Sequence, residues 1–227
     1  MKKIILYVSL IFLVFSSIWL IKSIISTNKH PTKNAVSTYV EKELENNKTY
    51  NVNSFKSLPD KEITLLEAYK LGLKQAKEYE ENPELLFLNS VDDKKTSGHD
   101  GKRRNWQGVY TLPTKNHHMV VVIEGGRLKN YTIISSSTEL SIKESEIKTD
   151  SDLIAKKAIK QFNLKPDPKE DPFSHGYHFR LLRDDKNIFL SISGQSNNKK
   201  TMVIYYNALD GQYLGSSESP IIEGDSK

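Results

Sequence analysis

The residues of this chain that could do chemistry are six histidines, scattered carboxylates, two basic clusters and several aromatics. His117 and His118 are adjacent, so on a strand they point to opposite faces and cannot share one metal ion. His175 and His178 could meet Asp171 in a loop, but no ligand spacing fixes the three. Surface loop histidines are the expectation, and no metal site. Asp92-Asp93 followed by Gly98-His99-Asp100-Gly101 lacks the alternating oxygen ligands and closing acid of a calcium loop. A polar, flexible hairpin loop is expected there instead.

Nucleophilic chemistry is no better supported. No Gly-x-Ser-x-Gly elbow occurs. Ser145-Glu-Ile-Lys148 and Ser196-Asn-Asn-Lys199 fit Ser-x-x-Lys, but the partner motifs Ser-Asp-Asn and Lys-Thr-Gly are absent. The chain has no cysteine, which excludes a disulfide scaffold, a thiolate nucleophile, a thiolate metal site and a lipid-modified N-terminal cysteine. A non-enzymatic protein without a cofactor is expected.

Binding residues remain. Trp106, Tyr110, Tyr205, Tyr206 and Tyr213 lie in strand-like runs, where alternate residues face the core. Tyr205 and Tyr206 must point opposite ways, so one of them faces solvent or a neighbouring domain. An exposed strand aromatic is a candidate binding hot spot. Lys102-Arg103-Arg104 and Lys199-Lys200 fall between expected strands. Solvated hairpin loops account for both, with contact to a polyanion as the alternative. The candidate binding residues are therefore Trp106, Tyr205, Tyr206, Lys102, Arg103 and Arg104.

The elements that must position these residues begin after a distinct N-terminal segment. Met1-Lys2-Lys3 precedes Ile4 to Ile21, eighteen residues without a charge. At 1.5 Å per residue that run spans about 27 Å as a helix, close to the hydrocarbon thickness of a bilayer. Lys2 and Lys3 predict a cytoplasmic N-terminus and an outward-facing remainder. The competing reading is a cleaved signal peptide, but the candidate cleavage sites at Ser23 and Ser26 have Ile21 and Ile24 two positions earlier. Residues 1–25 are read as a single-pass membrane anchor. Beyond them, 30 basic and 28 acidic side chains leave a balance of only +2, which is not the footprint of a nucleic-acid binder.

Residues 26–60 read as a linker without a strand pattern, holding at most a short helix from Pro31 to Glu45. Thr64-Leu-Leu-Glu67 has the capping-box form, and Leu65, Tyr69, Leu73, Ala76 and Tyr79 continue at helical spacing to about Glu81. Strand-like runs follow at Leu85 to Val91, Trp106 to Leu112, Met119 to Glu124 and Leu128 to Ile134. Gly125-Gly126 marks a tight hairpin between the last two. The order then repeats. Thr149-Asp-Ser-Asp152 opens a second helix closed by Pro166 and Pro168, and strand-like runs occupy Tyr177 to Leu182, Ile188 to Ser193, Met202 to Asn207 and Tyr213-Leu214. Thr64, Glu67, Pro83 and Gly126 reappear as Thr149, Asp152, Pro168 and Gly211 at one offset of 85 residues. The expected fold class is α+β, with each helix buried against one face of an antiparallel sheet.

Glu62-Ile-Thr-Leu-Leu-Glu-Ala68 and the run from Val203 to Leu214 resemble the two ends of a PepSY unit. That family opens on an Ile-Thr-x-x-Glu-Ala helix start and closes on a strand, an Asp/Asn-Ala-x-x-Gly turn and a short final strand. The first copy here lacks the closing Asn-Ala pair, and the second has Leu153 where the opening alanine belongs. The resemblance covers about residues 60–216. It implies an extracytoplasmic, membrane-tethered protein that holds an envelope peptidase or other envelope protein in check, with no catalytic residues to carry over. The expected organisation is an anchor at 1–25, a stalk at 26–60, PepSY-like units at 61–140 and 145–218, and a tail at 219–227. The expected role is binding or regulating an unidentified envelope protein outside the membrane. The alternative is a wall-polymer or anionic-surface binder using Lys102, Arg103 and Arg104.

Overall fold

The structure is a computed structural model that describes residues 48–52, 59–136, 140–168 and 175–219. These residues all belong to one compact unit, Lys42–Lys227. The anchor expected at 1–25, the short helix at 31–45, Asp171 and the tail beyond Ser219 lie outside the described residues. Among those described, no helix is long and apolar enough to cross a membrane.

Among the described residues nine strands form one sheet in which every neighbouring pair is antiparallel, in the order β1-β5-β4-β3-β2-β6-β7-β8-β9. Helix α1 (Leu65–Lys77) precedes β2 (Glu84–Val91), β3 (Asn105–Leu112), β4 (His117–Glu124) and β5 (Arg127–Ser135). Helix α2 (Ser151–Phe162) precedes β6 (His178–Arg183), β7 (Ile188–Gln195), β8 (Thr201–Asn207) and β9 (Tyr213–Glu218). The first strand after each helix meets the other at the centre of the sheet, where Phe87, Leu88 and Asn89 pair with Leu182, Leu181 and Arg180. The α+β class expected from helix-then-meander order is what forms.

Both helices lie on the same face. Gly108, Leu88, Leu181, Leu190 and Tyr206 are successive register partners across five strands, so their side chains share one face, and all five residues are buried. On that face Tyr110 donates its hydroxyl proton to the Tyr69 carbonyl of α1 at 2.8 Å. α2 packs against β7. Burying Leu65 and Leu73 completely against this face contributes roughly 1.5–3 kcal/mol each.

Three local expectations need correction. The stretch read as a strandless linker contains β1 (Thr49–Asn51), which pairs with β5, and Tyr50 stacks on Tyr131 with centroids 5.0 Å apart. Three residues are too few to show an alternation. α1 ends at Lys77, short of Glu81; the chain turns there, and the buried Glu80 carboxylate accepts from the Thr114 amide at 2.9 Å. The N-cap of α2 is Asp150 and not Thr149: the Asp150 carboxylate accepts from the Ser151 amide at 2.7 Å, while the Thr149 amide is bonded to the Ala208 carbonyl.

Candidate functional site

The loop between β2 and β3, Asp92 to Arg104, is the part of the chain where sequence and structure differ most. Expected as a flexible, solvated hairpin loop, it is instead packed into the junction of the two halves. Arg103 is 0% exposed. Its Nη1 donates to the carbonyls of Thr96 at 2.7 Å and His175 at 2.9 Å, and Nη2 donates to Asp92 at 3.2 Å. Arg104 is ion-paired with Asp60 and, at 3.6 Å, with Asp93. Lys102 pairs with Asp100 at 3.6 Å. The three cations therefore do not form a free basic patch, and the central one is a structural rivet.

Backbone geometry fixes the same loop. Gly101 has φ +82, and a Cβ there would stand 2.3 Å from the Asp152 Cα at the start of α2. Gly176 has φ +85, and a Cβ would meet the Ser97 carbonyl oxygen at 2.3 Å. Only glycine permits both the left-handed backbone and the approach. His178 sits beside this knot, its Nδ1 3.4 Å from the Ser90 hydroxyl. Burial, then the Arg103 charge, pushes its pKa down to about 4, so the ring is neutral at pH 7. Among the described residues no three His, Asp or Glu side chains gather as a metal site.

The aromatic candidates divide. Trp106 and Tyr206 are 0% exposed and belong to the core under the helices. Trp106 stacks on Phe179 with centroids 6.4 Å apart and donates its indole proton to the Arg103 carbonyl at 3.1 Å. Tyr205 lies on the opposite face, half-buried, edge-on to Phe189 at 5.5 Å. The structure thus brings Trp106 and Arg103 together as packing and leaves Tyr205 as the one aromatic candidate on an open surface.

That surface is the face of the sheet on which neither helix lies. One row across it runs through Val120, Val109, Phe87, Leu182 and Phe189 as successive register partners. The next row runs through Val122, Gln107, Asn89, Arg180, Ser191 and Tyr205. Phe87, Leu182, Phe189, Val120 and Val122 are half-buried without a helix over them. The two rows contain one charge, Arg180. In a chain that is 27% charged, this is an unusually apolar surface. At one end of the sheet β9 carries no further strand among the described residues, and Tyr213 and Leu214 there are 45% and 43% exposed.

Reading single aromatics missed Phe87, Leu182, Phe189 and Arg180. The available signal was strands apolar on both faces. In β4, Met119, Val121 and Ile123 are buried under α1, while Val120 and Val122 alternate with them and face the other way. A half-solvated antiparallel sheet would carry polar residues at those positions.

Two clefts flank the short strand β1, of about 830 and 620 Å³. Both are lined by Val52, the last described residue before 53–58, and the second also by Asp60, Asp93 and Arg104, the arginine ion-paired with both acids.

No family model matches the chain. No curated protein matches it either. Among solved structures, a crystal structure described as a "putative lipoprotein" from Clostridium difficile 630 is similar, with a TM-score of 0.46 and 11% identity over 74% of this chain and 99% of that one. A likeness at that level says nothing of what this chain binds.

Proposed function

We propose that this protein is a non-enzymatic binding module that engages another protein through the helix-free face of its sheet. One observation carries the reading: two adjacent rows of side chains cross that face with a single charge between them. Sheets with both faces apolar are ordinarily covered on both. The partner is an envelope protein or peptidase that the module restrains, in line with the PepSY resemblance. The repeated order of helix and four-stranded meander supports reading the chain as two such units joined through β2 and β6. The uncharged run Ile4 to Ile21 supports a single-pass anchor with the sheet outside the membrane.

The polymer-binding alternative has less to rest on, since Arg103 is enclosed and Arg104 and Lys102 are paired with acids. The test is in-cell crosslinking of the full-length protein followed by mass spectrometry. Recovery of one recurrent protein, lost on Tyr205→Ala and stable to added salt, supports the reading. Recovery of wall material alone, released as salt rises, overturns it.

A further inference from the structure

We infer that Arg180 is the receptor for a carboxylate side chain on the partner protein, an acidic residue set among apolar ones. This rests on the protein-binding reading above and gives the partner a chemistry.

The chain has five arginines. Arg103, Arg104 and Arg183 each hold a carboxylate, and Arg127 donates to the Pro59 carbonyl. Arg180 differs. Its Nε donates to the Asn89 side-chain oxygen at 2.8 Å, and no described residue accepts from either terminal nitrogen. Among the described residues no carboxylate pairs with it. Burial disfavours its charged form, opposed only by the nearby Tyr205 phenol. The guanidinium is thus partly desolvated without the anion that would compensate it.

The Asn89 contact matters for recognition. It fixes the fork through Nε and leaves the Nη1–Nη2 edge to present two parallel donors, the geometry that a carboxylate accepts. The surroundings decide which carboxylate. Phe87, Leu182 and Phe189 lie in the row on one side, and His178, Ser193 and Val203 form the row on the other. A partner that covers the apolar rows must also cover Arg180. Burying that charge unpaired is strongly unfavourable, so a partner without an anion here is rejected. The apolar row on one side, with Val203 past His178 and Ser193 on the other, selects an acidic side chain within an apolar segment over a chain terminus. A polyanion would meet one cation and gain nothing from the flanking rows.

The experiment uses the full-length chain in cells, with a photoreactive amino acid at Val203 and the adduct mapped by mass spectrometry. The expected result is an adduct to a partner segment holding Asp or Glu between apolar residues. Its yield falls about tenfold or more with Arg180→Glu, falls also with Arg180→Leu, and returns when the mapped acid is changed to Arg against Arg180→Glu. An unchanged thermal midpoint in the Arg180→Leu protein separates loss of binding from loss of fold. An adduct indifferent to both substitutions, or mapped to a segment without an acid, overturns the inference and leaves the binding reading standing. An adduct to residues 1–47 of the same chain, or to a second copy, overturns it as well. Adducts absent from Val203 and equally from Phe189 overturn both.

Discussion

The hydroxyl oxygen of Ser151, the first residue of α2, accepts the amide proton of Leu65, the first residue of α1, at 2.9 Å. The neighbouring amide of Leu66 donates to Asp150 at 3.0 Å, and Glu67 donates to Thr64 at 3.3 Å. Ala68 closes the first helical bond to the Thr64 carbonyl. The N-terminal amides of α1 are therefore satisfied, two of them by the start of the other helix. Ser151 also donates to the Gly101 carbonyl at 2.6 Å, so one hydroxyl joins both helices and the β2–β3 loop. Ser151→Ala is expected to cost about 1–3 kcal/mol, because it leaves a buried amide and a buried carbonyl unpaired. Urea denaturation checks this. One cooperative transition at a lower midpoint is expected; an unchanged midpoint would contradict the link.

The approach of Gly101 to α2 gives a second prediction. An alanine there must place Cβ against the Asp152 backbone and hold φ near +82. Both penalties act at once, and neither neighbour is a flexible side chain. Gly101→Ala is expected to lower stability by more than about 3 kcal/mol, read as a fall in soluble yield and in thermal midpoint.

Arg103 is expected to behave as core. Arg103→Met removes the donors to Thr96 and His175 and leaves Asp92 without its enclosed partner, at a cost of about 3–5 kcal/mol. Lys102→Met, on a half-exposed side chain, is expected to change stability by less than about 1 kcal/mol. Chemical denaturation of the two variants side by side distinguishes a rivet from a surface cluster. Equal small effects would restore the surface reading.

His178 gives the protein a pH dependence of defined sign. The groups facing it are Ser90 from β2, Asp92 and Arg103 from the β2–β3 loop, His175 from the preceding segment and Ser193 across the β7 register. Its folded pKa of about 4 lies below the ordinary value of 6.5, so the unfolded chain binds the proton more readily. This contribution is fully present above about pH 6.5 and is lost as pH falls toward 4, amounting to no more than about 3 kcal/mol. Denaturation midpoints at pH 7, 5.5 and 4.5 are expected to fall in that order, with the slope reduced in His178→Gln. An NMR titration placing the ring above pH 6 would remove the basis of the prediction.

Much of the architecture was legible in the residues. The capping box at Thr64 and the Gly125-Gly126 hairpin act locally, and both form as written. Strand runs flanked by turn residues also emerged with ends within a few positions. Burial of Arg103 was not legible, because its partners His175 and Tyr177 are more than 70 residues away. A charge run looks the same in solvent as in a junction until the fold brings its acceptors together. Tyr206 and Tyr205 show the same limit: alternation says that they face opposite ways, but not which one is covered. That depends on where α2 lies. The open face was hidden for a related reason, since it is assembled from one or two residues of each of six strands.

The most direct test of the account compares the two faces of the sheet. A photoreactive residue is placed in turn at Phe87, Phe189 and Tyr205 on the helix-free face and at Leu66, Leu153 and Leu209 on the helix side, in the full-length chain in cells. The account predicts a common adduct from the first three positions and little from the second three. Adducts of equal yield from both sets, or from the helix side alone, would contradict it.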